Sequence, residues 1–389
     1  MVRFRLPLFF AVLALVTLGA DGALRAQDSG WDQFLEDLDV FGDVRLRSES
    51  QLNRDDQLDR HRLRMRLRLG ATYRVDEAVK VGARVVTGDP DDPQSPHVTL
   101  GDGFDGAQLS LDRAFVTWLP DPDGDLSVTG GKFGNPLVTN PVYGELVWDA
   151  DVQPEGLLAG YSTTDAGPFE RLSVTAGEFV VLEQGNARDA YTTVGQVAAV
   201  LPVADGVTAT AATSYYYYTE PVPSGSLAIL GDNSGNATVD RNGDKIQDGF
   251  RSDFGIWNSI LAVGFDAFGT PMTVAGEYIL NHRAQPDAQH GYALGLAAGS
   301  TRESGDWRVY YQWQVVEQDA VFSPVSQDDF LFGTNHRSHL LGVNHQVSDA
   351  VGLHLWTLVS ARDMTFPRIP TADSGRNQWN VRFDVNIRF

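Results

Sequence analysis

The sequence contains no cysteine, so disulfide bonds, thiolate metal sites and lipid attachment through a cysteine are excluded. It has no apolar run of the roughly 20 residues that a membrane-spanning helix requires. Basic residues are few, with 30 Lys and Arg against 51 Asp and Glu. The resulting net charge of −21 argues against a nucleic-acid partner, because such a partner requires a basic surface.

The N-terminal residues have the pattern of a secretory signal peptide. Arg3 and Arg5 precede an apolar stretch over residues 6–18, and small residues lead to a cleavage position after Ala26. This apolar stretch is too short to span a bilayer as a helix. We therefore expect Sec-type export with removal of residues 1–26. Residues 27–39 are predicted to form a short periplasmic segment.

The last eleven residues alternate without exception between apolar and polar side chains. The apolar parity consists of Trp379, Val381, Phe383, Val385, Ile387 and Phe389. A period of two predicts a β-strand with one apolar face. In a membrane β-barrel such a face contacts lipid, while the polar parity lines a wet lumen.

Similar alternating segments recur from residue 40 to the end of the chain. The predicted strands are 40–51, 59–75, 78–88, 107–119, 125–133, 155–163, 170–182, 191–201, 206–218, 252–267, 271–282, 290–301, 306–317, 337–347, 350–362 and 377–389. Short turns alternate with longer loops rich in Asp, Gly, Pro and Asn, as in bacterial outer-membrane barrels. We therefore predict an all-β fold over residues 40–389. It is a transmembrane antiparallel up-and-down β-barrel of about 16 strands, with 14 or 18 as alternatives, in the bacterial outer membrane with both termini periplasmic.

The second predicted strand carries four arginines at a spacing of two: Arg62, Arg64, Arg66 and Arg68. On the lipid face each would cost about 2–4 kcal/mol at the bilayer midplane, so they are predicted to line the pore. Neighbouring strands add further predicted pore-lining cations, which are Arg45, Arg47, Lys80, Arg84, Arg113, Arg382 and Arg388.

Two interpretations of this basic wall remain open. Rows of Arg and Lys favour anions in channels, so the wall predicts a preference for anionic solutes. Alternatively, the arginines form a structural charge network, neutralised by Glu49, Asp112, Asp384 or acidic loops that fold inward.

One loop is predicted to narrow the channel. Residues 134–154 follow the basic strands and contain Trp148, Asp149 and Asp151. Glu155 follows directly and adds a further carboxylate. If this segment folds into the lumen, its carboxylates and the arginines create a transverse field. Such a field selects solutes by dipole as well as by charge.

A longer loop, 219–251, contains a candidate calcium site. Oxygen donors occupy positions one, three, five and nine of a calcium-loop pattern, at Asp240, Asn242, Asp244 and Asp248. Lys245 and Arg251 depart from the Gly and Glu that the pattern requires at positions six and twelve. The alternative is a solvated acidic surface loop.

Other motifs favour a channel over an enzyme. Residues 215–218 are four consecutive tyrosines, which predict an interfacial aromatic girdle, with a sugar-stacking platform as the alternative. Tryptophans scattered through the strands, Trp148 and Trp356 among them, fit such belts. The sequence has no G-x-S-x-G nucleophile motif. We expect no catalytic site and no cofactor other than calcium.

Several short sequence motifs occur in an order that resembles the putative-porin family of Gram-negative bacteria. They are residues 42–47, the arginine-rich second strand, 100–104, 111–115, 131–136 and 146–151 leading to 154–156. The resemblance implies an outer-membrane barrel of porin type and does not identify a solute.

These observations together predict a porin, a passive channel for small hydrophilic solutes with a preference for anions. Its partners are expected to be outer-membrane lipid and the solutes themselves, and a homotrimer is expected because lipid-facing Gly195 and Ala199 leave room for close contact. Two alternatives are a plugged structural or adhesive barrel and an export channel for an acidic polymer.

Overall fold

The computed structural model describes residues 34–54, 57–121, 124–164, 166–185, 188–219, 233–286, 288–362 and 375–389. The predicted signal peptide lies outside the described residues. A single helical turn covers residues 34–37 and leads directly into the first strand. Within the ranges above, no helix has the length and hydropathy needed to cross a membrane.

Sixteen long strands make up the fold within the described ranges. They are β1 Leu38–Leu52, β2 Arg60–Arg74, β3 Val79–Thr87, β4 Leu109–Trp118, β5 Leu126–Lys132, β6 Glu155–Thr163, β7 Arg171–Leu182, β8 Ala190–Ala204, β9 Val207–Thr219, β10 Gly255–Ala267, β11 Thr270–Asn281, β12 His290–Gly299, β13 Trp307–Val316, β14 His336–Gln346, β15 Val351–Arg362 and β16 Gln378–Arg388. Two-residue strands lie in the loops at Val98–Thr99, Thr238–Val239 and Gly249–Phe250. The predicted strand number is confirmed.

The sheet closes on itself, because β16 pairs antiparallel with β1. The pairing runs from Asp43 opposite Arg388 to Leu52 opposite Trp379. Backbone hydrogen bonds extend it by one residue, since Gly42 N–H donates to Phe389 O (2.9 Å) and Phe389 N–H donates to Gly42 O (3.1 Å). Closure removes the unpaired sheet edges that a bilayer does not tolerate.

The connections differ strongly between the two rims of the barrel. Short turns such as 75–78 and 205–206 lie at one rim, here called the short-turn rim, where β1 begins and β16 ends. The opposite, long-loop rim carries 88–108, 133–154 and 317–335 among its loops. This alternation agrees with the turn pattern predicted from the sequence.

Strand parity separates an apolar outer surface from a polar lumen. On β2, Leu63 and Leu67 are 58% and 37% exposed, whereas Arg64 and Arg66 are 8% and 3% exposed. The exposed apolar row continues around the barrel on other strands, for example at Leu261 of β10. Exposed apolar side chains at alternate positions are those expected to face lipid.

Two long loops fold into the barrel and pack against the wall made by β6–β15. Residues 133–154 form the first inner loop and residues 317–335 the second inner loop; both contribute to one large buried apolar cluster. Phe322 lies 4.5 Å from Tyr218 and 5.0 Å from Phe254 between ring centroids. This side of the lumen is therefore a packed core.

The girdle prediction for residues 215–218 is wrong for half of its members. Tyr216 and Tyr218 are buried inside the barrel, while Tyr215 and Tyr217 lie on the outer face, as a period of two requires. Trp148, which stacks on Tyr216, and Trp356 also lie inside the barrel rather than in an interfacial belt. Only the outward parity can contact lipid.

Candidate functional site: a charged cavity in the lumen

The arginine wall consists of the inward arginines of β1, β2 and β16. Its members are Arg45, Arg47, Arg62, Arg64, Arg66, Arg68 and Arg382. Their register is set by β1, where Arg47 stands between Arg64 and Asp384, and Glu49 stands between Arg62 and Arg382. Cross-strand neighbours lie about 5 Å apart, so the register places carboxylates within reach of most guanidinium groups.

Ion pairs neutralise most of the wall. Arg47 Nε lies 2.7 Å from Asp384 Oδ1, and both side chains are buried. Glu49 is fully buried, and its carboxylate forms ion pairs with three arginines. The nitrogen-to-oxygen distances are 2.5 Å to Arg62 and 3.5 Å to each of Arg64 and Arg382. These contacts realise the structural charge network that the sequence left open as an alternative.

Asp43 completes this network near the short-turn rim, at 2.7 Å from Arg66 and 2.6 Å from Arg68. On the adjoining strands, Arg84 pairs with Asp112. All of these pairs join residues of neighbouring strands.

The first inner loop reaches the arginine wall directly. Asp151 Oδ1 lies 3.4 Å from both Arg66 Nη1 and Arg68 Nη1, and Gln153 Oε1 accepts a 2.7 Å hydrogen bond from Arg113 Nε. The predicted inward fold of residues 134–154 is therefore observed. The adjoining Glu155 does not take part, because it is exposed at the start of β6 and pairs with Lys132 at 2.7 Å.

The second inner loop is bound to the wall through Asp329. Its carboxylate pairs with Arg382 and accepts a 2.8 Å hydrogen bond from Tyr143 Oη of the first inner loop. Its backbone oxygen accepts a 2.9 Å hydrogen bond from Asn380 Nδ2 of β16. The two inner loops are also joined directly, because Asp149 N–H donates to Val325 O at 2.8 Å.

A cavity of about 190 Å³ remains between the arginine wall and the two inner loops; we call it the lumen cavity. The strands contribute Arg45, Arg47, Arg64, Tyr310, His354, Trp356 and Asp384, and the loop after β3 contributes Gln94, Ser95 and His97. The inner loops contribute Tyr143, Glu145, Asp149, Asp151, Asp328 and Asp329. The guanidinium groups thus come from the strands, whereas every lining carboxyl group except that of Asp384 comes from the inner loops.

Some of the predicted pore-lining cations have no carboxylate partner within 4 Å in the described part of the chain. Arg45 donates from Nε to Asn386 Oδ1 (2.7 Å), and Arg113 bonds only Gln153 among described side chains. Lys80 and Arg388 are exposed towards the short-turn rim. Arg45 is the one of these that lines the lumen cavity.

Burial changes the ionisation of the loop carboxyl groups. It raises the pKa of Glu145 and of Asp149 well above their usual range, and neighbouring carboxylates add to the effect. Burial also raises the pKa of Asp328 to about 7. These three groups therefore carry less negative charge near neutral pH than free carboxyl groups do.

Several cavity residues escaped the sequence analysis. His97, Tyr143 and Asp328 lie in loops, where no periodicity indicates direction. His354 and Trp356 share the inward parity of β15, opposite to exposed Leu355, so strand parity could have placed them inside.

The candidate calcium loop bonds largely to itself. Asp240 accepts backbone hydrogen bonds from Gly243 (2.6 Å) and Lys245 (2.7 Å), and Asp248 accepts one from Arg241 (2.7 Å). Asn242 and Asp244 likewise accept from Asp244 and Ile246. In the described ranges no group of three or more His, Asp or Glu side chains is arranged to hold a metal ion. Calcium binding stays a prediction.

Comparison with known proteins agrees with the barrel. Residues 48–228 match the putative-porin family. This confirms the resemblance expected from the sequence phrases, and the protein is accordingly a β-barrel of the bacterial outer membrane. The matched family is described as putative porins, and the fold is that of solved outer-membrane channels. Among curated proteins, none matches the sequence significantly.

Solved porin structures share the fold at low identity. The high-pH structure of Pseudomonas putida OprB is 13% identical, with 92% of this chain and 95% of that chain covered and a TM-score of 0.61. Vibrio cholerae OmpT lacking loop L8 is 11% identical, with 90% and 99% covered and a TM-score of 0.53. Salmonella typhi OmpF in complex with daunomycin is 12% identical, with 90% and 97% covered and a TM-score of 0.52. At these identities the likeness establishes the barrel architecture and does not indicate which solute passes through this protein.

Proposed function

We propose that this barrel is a passive diffusion channel for small hydrophilic solutes and that it prefers anions. The solute path follows the polar side of the lumen, between the arginine wall and the inner loops, because the other side is filled by the packed apolar cluster. The observation that carries the anion preference is Arg45, a lumenal guanidinium with no carboxylate partner among the described residues.

The charge balance of the lumen cavity supports this preference. Asp384, Asp329 and Asp151 are each bound to arginines, so they offer little charge to a passing ion. The remaining carboxyls belong to Glu145, Asp149 and Asp328, whose pKa values are raised by burial. Near neutral pH the uncompensated charge is therefore that of arginine, and rows of arginine favour anions.

Replacement of Arg45 tests the preference. Arg45→Gln removes an unpaired cation, so the chloride-to-potassium permeability ratio from reversal potentials in planar bilayers is expected to fall. Arg66→Gln removes an arginine that is already bound to Asp43 and Asp151. Arg302→Gln, in a turn at the short-turn rim, is the matched control. An unchanged ratio in Arg45→Gln would leave the arginine wall with a structural role alone.

The packed inner loops favour a second candidate, a plugged barrel with a structural or adhesive role. Phe322 and Ala320 of the second inner loop are fully buried, and Asn236 Nδ2 fastens that loop with hydrogen bonds to Gln318 O (3.0 Å) and Val321 O (2.8 Å). A plugged barrel would insert into bilayers without conductance steps.

We also propose a homotrimer, because Gly195 and Ala199 have the outward parity of β8 and their small side chains permit close approach of a neighbouring barrel. Light scattering of the purified protein, corrected for bound detergent, would give three copies. A single copy would contradict this assembly.

For the candidate calcium loop, the proposal is that Asp240, Asn242, Asp244 and Asp248 bind calcium. Proteolysis between residues 240 and 251 is then expected to accelerate when a chelator is added. Equal cleavage rates with calcium and with chelator would identify a solvated surface loop.

The export signal is proposed to be cleaved after Ala26, leaving residues 27–39 on the periplasmic side. N-terminal sequencing of the membrane-inserted protein would then begin at Gln27. Retention of Met1 would contradict the cleavage.

A further inference from the structure

We propose that the lumen cavity is a binding site for small zwitterions, solutes that carry one carboxylate and one ammonium group, as free amino acids do. This inference rests on the proposed channel and names a class of solute for it. The carboxylate would bind at Arg45, Arg64 and His97, and the ammonium at Glu145 and Asp328.

Two residues that line the cavity, His97 and Arg64, each have a buried hydrogen-bonding atom without a partner among the described residues. His97 is 8% exposed and its Nε2 has no hydrogen-bond partner among the described residues. Arg64 is equally buried, and its Nε likewise has none there. Buried polar atoms without partners are costly, so a ligand that supplies acceptor atoms would be stabilised.

The rest of Arg64 is already fixed in position. Its Nη2 donates to Ser95 Oγ (2.7 Å) and to His97 O (3.4 Å), which also holds the His97 loop against the wall. Burial and the neighbouring arginines lower the pKa of His97 well below its usual range, so the imidazole is neutral and donates a single N–H. One preorganised guanidinium, one unpaired guanidinium and one imidazole match the acceptor oxygens of a carboxylate.

The acidic end comes from the inner loops. Glu145 and Asp328 line the cavity and have no Lys or Arg partner within 4 Å in the described ranges. Their burial favours the neutral form, and a bound ammonium group would favour ionisation. An anion without an ammonium group leaves these carboxyls in the neutral form, with Glu145 hydrogen-bonded to Asp329, and a simple amine supplies no acceptor to His97 Nε2 or Arg64 Nε. Only a solute that carries both groups satisfies both ends.

The cavity has room for a small solute. A cavity of 190 Å³ corresponds to roughly six water molecules at about 30 Å³ each. A solute with about as many non-hydrogen atoms, such as serine, fits this space.

Calorimetric titration of the purified full-length barrel in detergent tests the site with three probes: serine, lactate and ethanolamine. Serine is expected to bind at least about tenfold more tightly than either single-charge probe, a difference of about 1.4 kcal/mol. His97→Ala should weaken both serine and lactate by about tenfold, whereas Glu145→Gln should weaken serine by about tenfold and leave lactate unchanged. Glu303→Gln, in a turn at the short-turn rim, is the control.

Equal affinity for serine and lactate, or an equal effect of Glu145→Gln on both, would overturn the inference. Glu145→Gln breaks no ion pair with a described residue, so it remains informative if His97→Ala fails to fold. Potassium chloride conductance of the same preparations separates the two proposals. A conducting barrel that binds no serine overturns the zwitterion site alone, and a barrel that binds serine without conducting overturns the channel and supports the site.

Discussion

The two sides of the lumen are built on different physical principles. The wall of β1, β2 and β16 consists of arginines, most of which are held by carboxylates, with Glu49 and Arg382 almost fully buried. The wall of β6–β15 contributes buried apolar side chains to one cluster with the two inner loops. The comparison shows that the barrel is divided into a packed side, which fixes the loops, and a charged side, which keeps polar space.

This division explains how the inner loops stay in place without filling the lumen. Their apolar residues, such as Phe322, enter the packed cluster, and their carboxylates, such as Asp329 and Asp151, reach the arginine wall. Apolar burial supplies most of the stabilisation. The ion pairs fix the position of the loop carboxylates against the arginine wall.

The largest expected effect comes from weakening the packed side. Phe322→Ala deletes a fully buried ring between Tyr218 and Phe254 and should cost about 4 kcal/mol. The second inner loop should then move away from the wall, raising single-channel conductance. Phe268→Ala, in an exposed turn, is the control. A variant with unchanged conductance and thermal stability would show that the packed side does not hold the loop.

A smaller loss is expected on the charged side. Glu49→Gln leaves Arg62, Arg64 and Arg382 without their shared carboxylate, and removing one partner of a buried charge network should cost about 3 kcal/mol. Arg62 and Arg64, which lose their carboxylate partner, should also increase the chloride preference, whereas Arg382 stays paired with Asp329. Thermal unfolding and reversal potentials measure the two effects, and a loss of stability without any change in selectivity would place these arginines outside the solute path.

The pH dependence of selectivity probes the border between the two sides. The carboxyl of Asp328, with a pKa raised to about 7 by burial, is mainly neutral at pH 6 and ionised at pH 8. Because ionisation adds negative charge to the lumen cavity, the preference for chloride should fall as the pH rises from 6 to 8. Asp328→Asn should reduce this dependence, and an undiminished slope in that variant would assign it to another group.

The smallest effect is expected outside the lumen. Lys132 and Glu155 form an exposed pair at 2.7 Å, and such surface pairs contribute about 0.5 kcal/mol or less. Lys132→Ala should leave both the melting temperature and the selectivity unchanged within error. A large loss of stability would show that this pair is buried against lipid or another subunit.

Sequence periodicity predicted the strands because membrane and lumen impose opposite polarities on alternate residues. It also placed Arg64 and Arg66 inside the barrel, since lipid excludes them. It could not show that Glu49 would lie between Arg62 and Arg382, because that depends on the register of three strands and on closure. Nor could it place Asp328 or His97, since loops have no period and the packing that directs them involves distant residues.

The most direct test of the account is the reversal potential of the wild-type barrel in a tenfold gradient of potassium chloride at pH 7. An open path along the arginine wall predicts stepwise conductance and a reversal potential displaced towards the chloride equilibrium potential, with a smaller displacement in Arg45→Gln. Membrane insertion without conductance steps, or displacement towards the potassium equilibrium potential, would contradict it.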